Sequence, residues 1–143
     1  MTTLDGTVRS VATWRDSAVV VPDEVEARLR TATVDLEGSR RAASETAAAA
    51  LREWRPRERF RLLSGVGTAS TSRRLGLALA TIRPGLDIAD AVGVPCFLET
   101  AEWSNVGWYA RVGFEVVGRR TIPDGGPEVW AMRRPPVVAR GSE

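Results

Sequence analysis

Two polar side chains in the C-terminal third of the chain, Asn105 and Tyr109, have the types and spacing of a site that transfers protons. They are four residues apart, so in a helix both lie on one face. A phenol with an ordinary pKa of about 10 can protonate a departing thiolate, whose own pKa is about 8.5. The spacing by itself favours a tyrosine that anchors an aromatic helix in the core. A general acid is the functional alternative.

Histidine is absent from the sequence, and cysteine occurs once, as Cys96. The lack of histidine excludes Ser-His and Cys-His nucleophiles and the usual zinc sites, and we expect no bound metal. Cys96 lies in the apolar run 95–98, where a buried structural thiol is expected. A single cysteine excludes an internal disulfide and fits a reducing, cytoplasmic compartment.

The charge of the chain is nearly balanced, with 20 basic and 18 acidic residues. All the basic residues are arginines, and five cluster as Arg52, Arg55, Arg57, Arg59 and Arg61. A solvated surface explains this cluster, although arginine also binds phosphate in a bidentate manner. No aromatic ladder accompanies it, so nucleic-acid binding is the weakest interpretation. No run of about 18 apolar residues predicts a membrane span.

The hydrophobic pattern of the N-terminal half predicts a strand followed by helices. Residues 7–14 alternate and are rich in β-branched types, which is typical of a strand, and residues 17–21 form a strand or a loop. Pro22 and two acidic residues after it predict a helix start. The helical region that follows is divided at Gly38 and ends before Pro56.

A strand at residues 60–66, a loop of small residues at 67–72 and a helix from about 73 to 91 come next, with a kink expected at Pro84. Where a strand runs through a loop into a helix, the unpaired N–H groups of the first helical turn form an anion site. The junction at residues 62–76 therefore predicts a pyrophosphate site. Packing alone is the alternative, because any α/β protein has such junctions.

The C-terminal half completes an α/β sheet. Residues 95–100 predict a strand buried on both faces, and residues 105–111 a short helix. Strands at 114–120 and 128–133 form a terminal hairpin, and residues 135–143 are expected to be a flexible tail. Because helical crossovers give way to a hairpin, we expect a mixed sheet flanked by helices within one domain, residues 1–134.

The sequence from Asn105 through Tyr109 to Gly113 and Phe114 resembles the C-terminal signature of the GNAT acetyltransferases, Asn-x-x-x-Tyr-x-x-x-Gly-Phe. The resemblance spans nearly the whole chain and is most specific over residues 83–134. It implies a sheet in which the strands at 60–66 and 95–100 splay apart and admit acetyl-CoA as co-substrate.

The resemblance also implies roles for individual residues. Tyr109 is the general acid, while an amine attacks the thioester directly. Glu99 is the candidate general base. The alternatives are that Glu99 is a structural partner for an arginine or a backbone amide, and that an ordered water is the base. The residues implied in cofactor binding are Leu63, Ser64, Val66, Ser72, Arg73, Arg74, Leu75, Gly76 and Asn105.

Two departures from the family pattern stand out. The pyrophosphate loop, Gln/Arg-x-x-Gly-x-Gly/Ala in the family, aligns with residues 71–76, where only Gly76 is retained and Arg74 replaces the middle glycine. A long side chain there hinders the close approach of the backbone to a phosphate, unless the Arg74 guanidinium swings out and pairs with the phosphate itself. The chain is also expected to lack the family's first strand and first two helices, which leaves a sheet edge that a homodimer could cover.

The sequence thus predicts an N-acetyltransferase that moves an acetyl group from acetyl-CoA to a primary amine of a small molecule or peptide. The alternative is a shortened, inactive member that binds CoA weakly or serves as a protein-interaction module.

Overall fold

An Asp-Gly turn builds the first hairpin of the sheet. The computed structural model describes residues 1–137, in which β1 (Thr2–Leu4) pairs antiparallel with β2 (Thr7–Asp16). Asp5 and Gly6 join the strands with φ of 52° and 74°, the left-handed backbone of a two-residue hairpin turn. The sequence predicted β2 but not β1, because three residues are too short to show an alternating pattern.

Two helices follow β2, as predicted. α1 (Asp23–Glu37) begins after Pro22 with acidic residues in its first turn, where they complement the positive end of the helix dipole. Gly38, with φ of 51°, ends α1 and opens a short 3-10 turn, after which α2 (Arg41–Leu51) begins. Residues 17–21 form a loop.

The central crossover runs from β3 (Arg61–Thr68) through a 3-10 turn (Ser70–Ser72) to α3 (Leu77–Ala91). The helix begins four residues later than the predicted start near Arg73. Arg74 and Gly76 have φ of 66° and 72°, and left-handed backbone cannot be part of a right-handed helix.

The last four elements are β4 (Cys96–Thr100), α4 (Trp103–Ala110), β5 (Glu115–Thr121) and β6 (Glu128–Arg134). All four were predicted, with α4 starting two residues early. Within the described residues the strand order is β1-β2-β3-β4-β6-β5. The pairing of β3 with β4 is parallel and the other pairings are antiparallel, which confirms the mixed α/β sheet.

The sheet buries a core on each face. The larger core lies under α3 and α4, where Ile82, Leu86, Leu98, Phe114 and Met132 pack together. A smaller core joins α2 to the terminal hairpin through Leu51, Ile122 and Val129. Together these layers fix the ends of β3, β4 and α4, where the candidate site lies.

The expected flexible tail lies largely outside the described residues, which end at Val137. The backbone N–H of Val137 donates to Asp90 at 2.8 Å. The expectation for residues 138–143 stays a prediction.

Candidate functional site at the splayed strands

The two parallel strands of the sheet separate soon after they meet. β3 and β4 pair only at Arg61 with Cys96 and at Leu62 with Phe97. Beyond that point β3 continues its ladder with β2 alone, so in this part of the chain its other edge has no strand partner. The backbone amides and carbonyls along that edge are available to a ligand.

A bulge accounts for the separation. The ladder between β2 and β3 pairs Trp14 with Leu63 and Thr13 with Gly65, which leaves Ser64 as an extra residue. A bulge bends and twists its strand, and this one falls directly after the last pair with β4. The two glycines that follow, Gly65 and Gly67, are typical of a strand that a ligand or another backbone approaches closely.

The gap opens into a cleft of about 270 Å³ that three elements line. β3 contributes Val66 and Thr68, the first turn of α3 contributes Ala78, and α4 contributes Asn105, Trp108 and Tyr109. The structure therefore brings together Val66, Asn105 and Tyr109 from the predicted set. Thr68, Ala78 and Trp108 were not predicted, although the Asn105-Tyr109 face of α4 and the strand-to-helix junction pointed to their neighbourhood.

Tyr109 is held by aromatic neighbours near the end of α4. Its ring lies edge-on to Trp108 and Phe114, with ring centres 4.8 and 5.8 Å away, and its carbonyl accepts the N–H groups of Val112 and Phe114. Burial raises the pKa of Tyr109 above its ordinary value, because a low-dielectric environment disfavours the phenolate. The phenol therefore keeps its proton at neutral pH and can donate it.

Asn105 stands one turn before Tyr109 on the same helix. Its Nδ2 donates to the hydroxyl of Thr100 at 3.3 Å, and the same hydroxyl accepts the N–H of Glu102 at 3.3 Å. This small network ties the end of β4 to the start of α4. Asn105 thus fixes the side of the cleft on which Tyr109 lies.

The opposite end of the cleft is the N-terminus of α3. Its first turn lies beside the cleft through Ala78, and a helix N-terminus presents free N–H groups at the positive end of its dipole. The loop before it is exposed at Arg73, Arg74 and Leu75, while Ser72 is buried. This arrangement can hold the negative charge of a phosphate.

Arg74 occupies a backbone conformation that glycine favours. Its φ of 66° is left-handed, which costs a residue with a Cβ about 1 kcal/mol. Gly76, two residues later, has a φ of 72° at no such cost. The loop therefore keeps a glycine-type turn at position 74 although the side chain there is an arginine.

Glu99 lies on the other face of the sheet from Tyr109. Thr100 points toward α4 through its bond to Asn105, so Glu99, one residue earlier in the strand, points the opposite way. Its carboxylate accepts Nε of Arg55 at 3.3 Å. The arginine partner that the sequence left open as an alternative is therefore present.

The other predicted cofactor residues lie around the cleft without lining it. Leu63 is buried in the larger core, and Ser64 is the exposed bulge residue.

Cys96 is fully buried, and desolvation raises the pKa of its thiol to about 11, as expected for a structural cysteine.

Comparison with solved structures identifies this architecture. The crystal structure of histone acetyltransferase HPA2 and related acetyltransferase from Corynebacterium glutamicum matches 94% of this chain with a TM-score of 0.64, at 24% sequence identity. The chain has the GNAT fold. A NatC complex bound to Gag peptide and CoA matches 58% of the chain and 55% of the matched protein, with a TM-score of 0.51 and 17% identity.

This chain spans less than two thirds of the length of the solved proteins that it matches. The match covers 61% of the Corynebacterium protein. The ribosomal-protein-S18-alanine N-acetyltransferase from Escherichia coli matches 59% of each chain with a TM-score of 0.49, at 21% identity. No family model matches the sequence.

Two further findings bear on the site and its setting. Within residues 1–137, no group of three or more side chains of metal-binding type is placed to hold a metal ion. None of the described helices is long and apolar enough to cross a membrane.

Proposed function

We propose that this chain is an N-acetyltransferase that moves an acetyl group from acetyl-CoA to a primary amine. One observation carries the proposal: the splay of β3 from β4 opens a cleft with the N-terminus of α3 at one end and the Tyr109 phenol beside it. Acetyl-CoA carries a pyrophosphate, which needs an anion site, and a thioester, whose leaving thiolate needs a proton donor. The cleft offers both beside an open strand edge.

The free edge of β3 supports the binding of an extended acyl-CoA arm. The amides of the pantetheine arm can pair with the unpaired backbone of residues 63–66, as an added strand would. The first turn of α3 and the loop from Ser72 to Gly76 can then receive the pyrophosphate. Asn105 would hold the thioester end against α4.

In the proposed transfer, Tyr109 and Glu99 act from opposite faces of the sheet. The amine nitrogen attacks the thioester carbon, forms the amide bond and breaks the carbon–sulfur bond. The leaving thiolate takes the proton of Tyr109, and the proton of the amine passes to Glu99 or to water. Arg55 keeps the Glu99 carboxylate in place, so an amine acceptor has to share that carboxylate with a guanidinium.

The proposed acceptor is a peptide N-terminus or a small primary amine, and the proposed compartment is the cytoplasm. A peptide N-terminus or a small primary amine fits direct attack, and the NatC structure contains a Gag peptide together with CoA. The free thiol of Cys96 and the use of acetyl-CoA point to the cytoplasm. The homodimer expected at the sheet edge stays a prediction.

A second candidate function, a CoA-binding or interaction module without catalysis, is favoured by one observation. Arg74 places a long side chain at the left-handed loop position next to the anion site. If this side chain blocks the pyrophosphate, the fold remains intact while acetyl-CoA binds weakly.

Thermal unfolding with and without acetyl-CoA separates the two candidates. Ligand at about 100 times its dissociation constant adds roughly 2.7 kcal/mol of stability, which is about 8 °C of midpoint for a domain of this size. We expect this shift in the wild type, followed by CoA release when an amine is supplied. The buried Cys96 keeps a thiol-reagent assay specific for CoA.

Arg74→Gly and Arg73→Gly are the matched variants, because Arg73 has an ordinary φ of −66°. The inactive candidate would be supported if acetyl-CoA shifted the unfolding midpoint of Arg74→Gly but not that of the wild type or of Arg73→Gly. No shift in any of the three proteins would contradict the acetyltransferase, and of the second candidate it would leave only an interaction module that does not bind CoA.

A further inference from the structure

α1 presents an apolar stripe that nothing in the described part of the chain covers. Val25, Leu29 and Ala32 recur at the spacing of one helical face, and Leu29 is 56% exposed. They line an open groove along the helix. The opposite side of α1 is half-buried at Val34 and Glu37, so the stripe faces outward.

Two opposite charges flank this stripe on one side. Arg28 and Asp35 line the same groove, seven residues apart, which is two helical turns and the same flank. Among the ion pairs of residues 1–137, none involves either of them. On the other flank, Arg30 lies 3.9 Å from Glu26.

We propose that this face of α1 binds the same face of a second copy of the chain, with the two helices antiparallel. A two-fold axis perpendicular to antiparallel helices brings the same flank of each together. With that axis between Thr31 and Ala32, Arg28 of each copy lies at the level of Asp35 of the other. Arg28 and Asp35, which have no ion-pair partner within residues 1–137, then form two symmetric ion pairs.

The apolar stripe allows this register. The axis brings Ala32 of each copy next to Ala32 of the other, and these small side chains let the two helices approach closely, with Leu29 to one side of the contact. A parallel pairing would oppose the two different flanks instead and leave Arg28 and Asp35 apart. The charge pattern therefore selects the antiparallel pair of copies.

The dimer is expected to be weak. One pair of fifteen-residue helices buries less than the roughly 1,200 Å² of a stable interface. Association should therefore depend on protein concentration, with dissociation constants in the micromolar range or above. It should also weaken with salt, because exposed ion pairs are screened.

Sedimentation velocity over a wide concentration range tests the pairing through charge reversal. We expect R28D alone and D35R alone to weaken self-association by about 10-fold or more, since each places like charges opposite one another. An equimolar mixture of the two variants should associate again, because the aspartate introduced in one variant then faces the arginine introduced in the other. The double variant R28D/D35R should also regain association.

R83D on the exposed surface of α3 is the control, since it makes the same change of charge away from α1. It should associate like the wild type. A wild type that remains monomeric throughout would overturn the proposal, and so would a dimer unaffected by R28D and D35R or a mixture that fails to associate. The outcome is independent of acetyl transfer, which is measured separately.

Discussion

At the scale of single residues, Tyr109 is the proposed general acid of the cleft. Burial among Trp108 and Phe114 raises the pKa of Tyr109, so its proton is retained until the pH exceeds the ordinary phenol value of about 10. Tyr109→Phe keeps the ring and its packing but removes that proton. We expect kcat to fall by about 100-fold or more, with the acetyl-CoA shift of the midpoint unchanged.

The pH profile of kcat/KM provides the second readout for Tyr109. Because the pKa is raised, activity that depends on the protonated phenol should persist through neutral pH and decline only on the alkaline side of about 10. A Tyr109→Phe enzyme with the wild-type rate would show that Tyr109 only packs against α4.

At the scale of elements, the sequence predicted more of the fold than of the site. The alternation in β2 and the glycine at position 38 are local signals, and the corresponding strand and helix break are confirmed. The start of α3 was predicted too early, because a left-handed Arg74 has no signal in residue type. The ion pair of Arg55 with Glu99 joins residues 44 positions apart, so no local pattern could single out Arg55 among the clustered arginines.

Gly85 shows how an element contact places a constraint on one residue. α3 crosses β2 so closely that a Cβ at Gly85 would lie 2.2 Å from the Trp14 ring. The guanidinium of Arg61 lies over the same ring and donates to the Gly85 carbonyl at 3.0 Å. We expect Gly85→Ala to destabilise the protein by about 2 kcal/mol in urea unfolding, since the ring has to move.

Gly107→Ala is the control for Gly85→Ala. Gly107 is also helical, and a Cβ there meets nothing within 4 Å, so the gain in helix propensity should stabilise the protein by about 0.5 kcal/mol. Equal effects of the two substitutions would mean that α3 and β2 separate readily, and the fixed position of the α3 N-terminus beside the cleft would lose its support.

At the scale of the whole molecule, one buried cluster joins three elements behind the site. Arg134 of β6 donates to both carboxylate oxygens of Asp90 at 2.7 and 2.8 Å and to the carbonyl of Val112 at 3.0 Å. Asp90 lies near the end of α3 and Val112 just after α4. Because α3 and α4 each carry one side of the cleft, the cluster holds the two sides of the site in register.

Two carboxylates, Asp90 in this cluster and Asp16 at the end of β2, make stability depend on pH. The Arg134 guanidinium lowers the pKa of Asp90, and Arg59 with the Ala18 amide lowers the pKa of Asp16 to about 2. Both folded pKa values lie below the unfolded value of about 3.9. The stabilisation from each pair is therefore complete above a pH of about 4 and is lost as the pH falls through the folded pKa, which is about 2 for Asp16.

Asp90→Asn separates the two contributions to this pH dependence. It leaves the Arg134 charge without its carboxylate, so we expect a loss of about 2 kcal/mol at pH 7, and part of the acid sensitivity should disappear with it. Asp16→Asn should instead have a smaller effect that salt diminishes, since its partner Arg59 is exposed. Urea midpoints between pH 7 and pH 2 measure both. If Asp90→Asn lost stability in acid as steeply as the wild type, the Asp90–Arg134 pair would not be what ties α3 to β6.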